Sequence, residues 1–283
     1  MSYPQHLGSP PDEFLFKRRV HLRAAMPELW HSRGLVRTLA ERDIRVRYKQ
    51  AVLGFVWAVL SPFVLMLVFS FFFQRIAKVN THGVPYPLFA YLGLLPWSFF
   101  SSSVSNGGTN ILSNAGLLNK IYCPREVFPV AGVVVTAVDT AMSIGVLAMM
   151  FAIYTFAPPL VGLLWVPVLL LVLTVFTLGV TLIVSATIVY FRDLRQAIPM
   201  ILQLGLFATP VAYGMELIPE RYWTIYVAID PIAMVITGLR QALLYHETPD
   251  LRLLAAASVS SIAWLVGGYL GFKKLETRFS DVA

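Results

Sequence analysis

Six stretches of this sequence are apolar enough, or nearly so, and close enough to twenty residues long to cross a lipid bilayer. Nothing else in it constrains the fold as strongly. A hydrocarbon core about 30 Å thick needs roughly 20 apolar residues in a helix. The stretches run from about Gly54 to Ile76, Pro87 to Ile111, Val127 to Phe156, Val161 to Tyr190, Ala197 to Met215 and Leu253 to Phe272. The second is less apolar and rich in Ser and Gly. The third and fourth are longer than needed, which implies tilt or a break. Each must satisfy its own backbone hydrogen bonds in lipid, so each is expected to be a helix and not open sheet. Composition agrees: 57% of the residues are hydrophobic and 13% charged, against about 25% charged in an average soluble domain. A disordered chain, a disulfide scaffold and an ordinary soluble enzyme are excluded. The fold class expected is an all-α integral membrane protein.

The net charge of +7 would suggest nucleic acid in a soluble protein. Here ten of the 22 Lys and Arg residues precede Gly54, forming a block beside the first span that anionic headgroups attract at about 1 kcal/mol per residue. No nucleic-acid partner is expected. No apolar run follows the first few residues, so the start does not read as a signal peptide. With the N-terminus inside, seventeen Lys and Arg residues flank the inner side and five (Arg75, Lys78, Arg221, Arg240 and Arg252) the outer side. The positive-inside rule then places both termini in the cytoplasm. The division expected is a cytoplasmic segment 1–31, an interfacial helix 32–53, a six-span domain 54–272 and a cytoplasmic tail 273–283.

Two segments need a separate account. Between spans five and six, the chain from Tyr222 to Tyr245 is apolar except at Asp230-Pro231 and Arg240, and each half is too short to span. A re-entrant hairpin turning near Asp230-Pro231 explains both facts; an amphipathic segment on the surface is the alternative. Before span one, Leu35, Val36, Leu39 and Val46 fall on one side of a helix, although Ile44 and Tyr48 do not. A basic helix of this kind fits the membrane interface better than water.

Catalytic signatures are missing. There is no Gly-x-x-x-x-Gly-Lys-Ser/Thr loop, no His-Glu-x-x-His, no Asp-x-Asp and no Gly-x-Ser-x-Gly. The one cysteine, Cys123, has no Cys or His beside it and reads as an inert thiol. Catalytic residues, metal ligands and cofactors are therefore not expected in this chain. Asp139 is the one ionisable residue deep in a span. It is either functional or bonded between helices near Thr136, Thr140 and Ser143. No internal repeat is visible, which weakens the reading as an ion-coupled carrier.

Several strings recur in order around the spans. They are Arg42-Asp43-Ile44-Arg45-Val46-Arg47-Tyr48-Lys49-Gln50 with Leu53-Gly54, Trp57 and Pro62; Leu118-Asn119-Lys120-Ile121-Tyr122-Cys123-Pro124-Arg125-Glu126; Tyr190-Phe191-Arg192-Asp193-Leu194; Thr209-Pro210-Val211-Ala212-Tyr213; Ile218-Pro219; and Asp230-Pro231. Together they closely resemble the permease subunits of type-2 ABC exporters for polysaccharides and polyol phosphates, across roughly residues 35 to 275. Asp230 and Thr209 stand where that family often has Asn and Ser.

The resemblance implies a non-enzymatic half-transporter in the cytoplasmic (inner) membrane, pairing with a second copy and with two cytoplasmic ATPase subunits. ATP and Mg would belong to those partners. The cargo implied is a lipid-linked glycan on an undecaprenyl diphosphate carrier. Other cargoes (teichoic acid, a drug, a lipid) and a membrane-embedded enzyme of glycan assembly are the alternatives. For such a cargo, Arg42, Arg45 and Lys49 share one helical face suited to a lipid diphosphate, with Arg47 pointing elsewhere and given less weight. Holding the N-terminus inside is the simpler role for the same charges. The loop with Lys120, Pro124, Arg125 and Glu126 is the expected docking element for the ATPase. Tyr91, Trp97, Phe99, Phe100, Phe207 and Tyr213, with Asp139, are candidates for the translocation path, although aromatic residues also mark membrane interfaces in general.

Overall fold

The computed structural model describes residues 32–49, 54–76, 79, 81–118 and 123–276. The expected segment 1–31, most of the tail and Lys120 lie outside the described residues. Among the described residues there is no strand. The helices are α1 (Arg33–Lys49), α2 (Gly54–Phe69, continued by π-helix over Ser70–Ile76), α3 (Tyr86–Ser113), α4 (Val127–Ile153), α5 (Leu160–Tyr190), α6 (Leu194–Ala208), α7 (Trp223–Ile229), α8 (Pro231–Leu243) and α9 (Leu251–Glu276). Ser70 Oγ donates to the Met66 carbonyl where α2 changes to π geometry.

Central in the bundle is α3, which packs against α2, α4, α5, α6 and α8. Prolines at positions 85 and 87 start it, where a missing N–H costs nothing. Its fully buried side chains Tyr86, Leu88, Phe89, Tyr91, Leu92 and Leu94 belong to the main core. A second, smaller core gathers Leu39, Ile111, Val127, Phe128 and Phe272 where α1 meets the bundle. Two glycine pairs set close crossings. A Cβ on Gly132 of α4 would lie 2.6 Å from the Gly107 Cα of α3, and one on Gly268 of α9 would lie 2.2 Å from the Gly179 carbonyl of α5. Small residues at crossings are how helices approach when lipid supplies no hydrophobic drive between them.

By length and composition, α4, α5 and α9 can each cross a membrane, and the pair α7–α8 passes the same test if counted as one span. Of the tilt or break expected in the third and fourth spans, no break occurs: α4 and α5 run uninterrupted. The fifth expected span, Ala197 to Met215, is not one helix. At about 1.5 Å per residue, the 15 residues of α6 reach about 22 Å. The chain then becomes extended at Thr209, φ −79° and ψ 142°. A break does fall at Asp230-Pro231, where the axes on either side differ by 116°. Asp230 caps α8, accepting from Ile232 N at 3.2 Å, and Thr209 Oγ1 donates to its other oxygen at 2.6 Å. Asp followed by Pro is a strong start signal for a helix.

Candidate translocation face and coupling elements

Sequence spacing places Arg42, Arg45 and Lys49 together and Arg47 apart, but contact with the bundle sorts them differently. Arg42 and Arg47 remain 45% and 37% exposed but bond to acceptors on the bundle. Arg42 Nη2 donates to Asn114 Oδ1 and to Asp43 Oδ1, both at 2.7 Å. Asn114 in turn donates to Asn110 Oδ1 at 2.7 Å. Arg47 Nη1 and the Tyr48 hydroxyl each donate to a different oxygen of Asp139. Arg45 stays 78% exposed, 3.9 Å from Glu41, and Lys49 is exposed. Val46, placed on the apolar side by spacing, is 61% exposed. The reason is Asp139: a carboxylate inside the bundle draws the guanidinium and phenol towards it, fixing the rotation of the end of α1. Burial and the bond to Asp139 push the Tyr48 hydroxyl up to about 12, so it keeps its proton and donates.

Contacts from α1 climb along α4, from Val127 and Phe128 beside Leu39 to Asp139 beside Arg47. Twelve residues of helix separate those levels, about 18 Å. The helix therefore leans along the bundle. Between it and α3–α4 lies a groove of about 500 Å³ lined by Arg42, Arg47, Asn106, Thr109, Asn110 and Ser113, among others.

Along α3 runs a row that neither hydropathy nor the motif strings reveal. Ser98, Ser101, Ser102, Ser105, Asn106, Thr109 and Ser113 recur at intervals of three and four, one face of a helix. None is fully buried. Ser101, Ser102, Ser105 and Asn106 line a second groove of about 310 Å³, closed by Trp97 and by Pro199, Leu202 and Gln203 of α6. The two grooves meet at Asn106. Thr109 and Ser113 donate to carbonyls one turn back at 3.0 and 3.1 Å, which leaves their oxygens as acceptors. The row thus extends hydrogen-bonding capacity from Arg42 and Arg47 towards the middle of the bundle.

The aromatic candidates separate. Tyr91 is fully buried and donates to the Ser143 carbonyl at 3.2 Å. Phe100 stacks on Phe176, centroids 5.4 Å apart, and Phe99 borders an apolar cleft against α4 and α5. Trp97 packs over Gly205 and walls the 310 Å³ groove. Phe207 is exposed, and the Tyr213 hydroxyl donates to the carbonyls of Phe207 and Ala208. Of the predicted aromatic residues, Trp97 is the one that lines a groove with the polar row.

The expected docking loop is tied inward. Glu126 is 1% exposed, and its Oε2 accepts from Lys273 Nζ at 2.8 Å; Lys273 also donates to Glu276 at 2.8 Å. Arg125 donates to the Glu276 carbonyl at 3.0 Å. Pro124 is half-buried. In place of a polar contact offered to a partner, Glu126 joins the start of α4 to the end of α9. Cys123 is half-buried, and burial pushes its thiol up, away from the reactive thiolate.

Arg240, counted above as an outer flanking charge, is a bundle residue with 3% exposure. Its Nη1 donates to the carbonyls of Pro210 and Tyr213, and its Nη2 to those of Phe89 and Val211. Its guanidinium lies 3.5 Å from the Phe89 ring centroid. No sequence signal distinguishes it from a loop arginine.

The chain is 32% identical over 255 residues to the O-antigen export system permease protein RfbA of Myxococcus xanthus, covering 90% of this chain and 97% of that protein. It is 28% identical over 248 residues to the protein of the same name from Klebsiella pneumoniae, covering 88% and 94%. It is 25% identical over 213 residues to the polysialic acid transport protein KpsM of Escherichia coli, covering 74% and 81%. Residues 34–244, which hold Arg42 and Arg47, the polar row and the buried Arg240, match the family described as ABC-2 type transporter, and the chain belongs to that family.

Proposed function

We propose that this chain is the permease of an ATP-driven exporter that moves a lipid-linked polysaccharide across the cytoplasmic membrane. It works as two copies with two cytoplasmic ATPase subunits, which bind ATP and Mg. The observation that carries this reading is the polar row of α3, which leads away from Arg42 and Arg47 through two grooves joined at Asn106. A diphosphate headgroup at the inner leaflet needs guanidinium forks. The glycan behind it needs hydroxyl and amide partners at many depths and no single tight site. One chain presents such a row on a face, and two copies enclose it.

The same reading assigns six crossings. The short α6 completes its crossing through residues 209–213, irregular backbone tolerable at membrane depth because protein satisfies its carbonyls. The α7–α8 pair, bent by 116° at Asp230, dips into the outer leaflet and returns. The α1 end faces the cytoplasm, as do both termini.

The test uses proteoliposomes holding the permease with its ATPase. ATP-dependent protection of a lipid-linked glycan from externally added glycosidase is expected, and Arg42→Lys with Arg47→Lys should slow it while membrane insertion and ATPase binding persist. Transport of small hydrophobic compounds with no movement of the glycan would overturn the assignment.

A further inference from the structure

At the end of the bundle opposite α1 lies a cavity of about 510 Å³, within the roughly 300–1,000 Å³ typical of small-molecule sites. It is open to solvent and bounded by the turn at His82–Val84, the chain around Phe156, the segment at Glu216, helices α7 and α8, and the stretch from Tyr245 to Leu253. The grooves described above share no lining residue with it.

The rim is built under strain. Among the described residues, the non-glycine positions with positive φ are His82 (52°), Thr155 (49°) and His246 (61°). His82 lines the cavity, and the other two adjoin lining residues Phe156, Tyr245 and Glu247. Such conformations cost about 1–3 kcal/mol each and cluster at ligand sites. Side chains pin these turns: His82 Nε2 lies 3.0 Å from Glu216 Oε1, the His82 ring is edge-on to Tyr245 at 5.6 Å, and the His246 ring is edge-on to Phe156 at 6.1 Å.

Charge narrows the ligand. Glu216, Glu247 and Asp250 face the cavity against one buried cation, Arg240. The four terminal N–H groups of Arg240 are taken by carbonyls, and its Nε has no partner. No guanidinium fork is therefore open to phosphate or carboxylate, and the carboxylates repel an anion. Gln241 Oε1, on a residue of the lining, is shielded from solvent without a hydrogen-bond partner. Three carboxylates beside the hydroxyls of Thr237 and Tyr245 and the Gln241 amide suit a ligand that donates and accepts through many O–H groups. Trp223 anchors its Nε1 on the Ile218 carbonyl at 2.8 Å and lines the cavity, as does Tyr245. Ring faces beside carboxylates match the C–H and O–H faces of a sugar.

We propose that this cavity is a saccharide-binding site for a neutral, hydroxyl-rich sugar unit. Its occupant as the leading unit of the exported glycan rests on the function proposed above; the chemistry of the cavity does not. Glu216 and Glu247 accept from ligand hydroxyls, and Trp223 supports the ring.

The experiment is saturation-transfer NMR on the full-length permease in nanodiscs. The probes are free disaccharides of glucose, galactose, mannose, rhamnose and N-acetylglucosamine, with inorganic phosphate and spermidine as charged references. At least one disaccharide should bind saturably. Glu216→Gln with Glu247→Gln should weaken it about tenfold or more, as losing hydrogen bonds to charged groups implies. Trp223→Ala should weaken it as well, with Trp223→Phe restoring part of the loss. If the double carboxamide variant does not fold, the Trp223 pair carries the test. Binding by no disaccharide, binding of spermidine or phosphate in their place, or sugar binding indifferent to these variants would overturn the proposal. Export measured on the same permease reconstituted with its ATPase in proteoliposomes separates the two readings. Export without sugar binding removes the cavity assignment and leaves the function; sugar binding without export of a lipid-linked glycan does the reverse.

Discussion

Replacing Arg240 with Leu should be among the most damaging single changes in the protein. The guanidinium satisfies four backbone carbonyls, of Phe89, Pro210, Val211 and Tyr213, at 2.6 to 3.2 Å. Three belong to the irregular stretch after α6, which has no helix of its own to absorb them. Each orphaned buried acceptor costs about 1–3 kcal/mol, so four set an upper bound near 12. Two effects reduce it. Removing a buried charge returns several kcal/mol of desolvation, and the adjoining cavity admits water to some of the carbonyls. A net loss of about 3–5 kcal/mol remains, typical of breaking a buried ionic network. In nanodiscs that should lower the apparent melting temperature by roughly 10 °C. Arg240→Lys keeps the charge but brings three donors on a flexible stem to four acceptors, so an intermediate loss is expected. Melting of Arg240→Leu within about 2 °C of the parent would refute the view that this cation holds the stretch in place.

Four further outcomes follow from particular contacts. Arg47→Ala and Asp139→Asn should each reduce export, and the double change should be no worse than Asp139→Asn, which disturbs both the Arg47 contact and the Tyr48 contact; additive losses would contradict this. Lys273→Met leaves Glu126 buried and unpaired and should cost about 3–5 kcal/mol in melting, whereas the double change with Glu126→Met should recover most of it. Gly268→Val drives a side chain into the Gly179 carbonyl and should abolish assembled protein. Gly267→Val, whose Cβ meets nothing within 4 Å, should express normally on size-exclusion chromatography. In a Cys123→Ser background, Glu220→Cys should react with an impermeant maleimide in intact cells, and labelling only after permeabilisation would invert the topology.

Local rules made most of the fold legible in the sequence. Hydropathy over twenty residues marked the helices, since lipid forces each segment to close its own hydrogen bonds. Asp230-Pro231 marked the break, because the dipeptide starts a helix and cannot continue one. The Ser and Asn row of α3 was equally local, visible in its spacing of three and four, but a search for apolar periodicity passes over it. What tertiary structure decided was partnership. Arg47 meets Asp139 across 92 positions, Lys273 meets Glu126 across 147 and Arg240 meets Phe89 across 151. Helical spacing says which charges share a face; it does not say which face meets the bundle. Those choices were made by the few acceptors buried inside, one carboxylate on α4, one at its start and a cluster of carbonyls after α6. Each drew in a cation that replaces water it had lost, at Asp139 together with the Tyr48 hydroxyl.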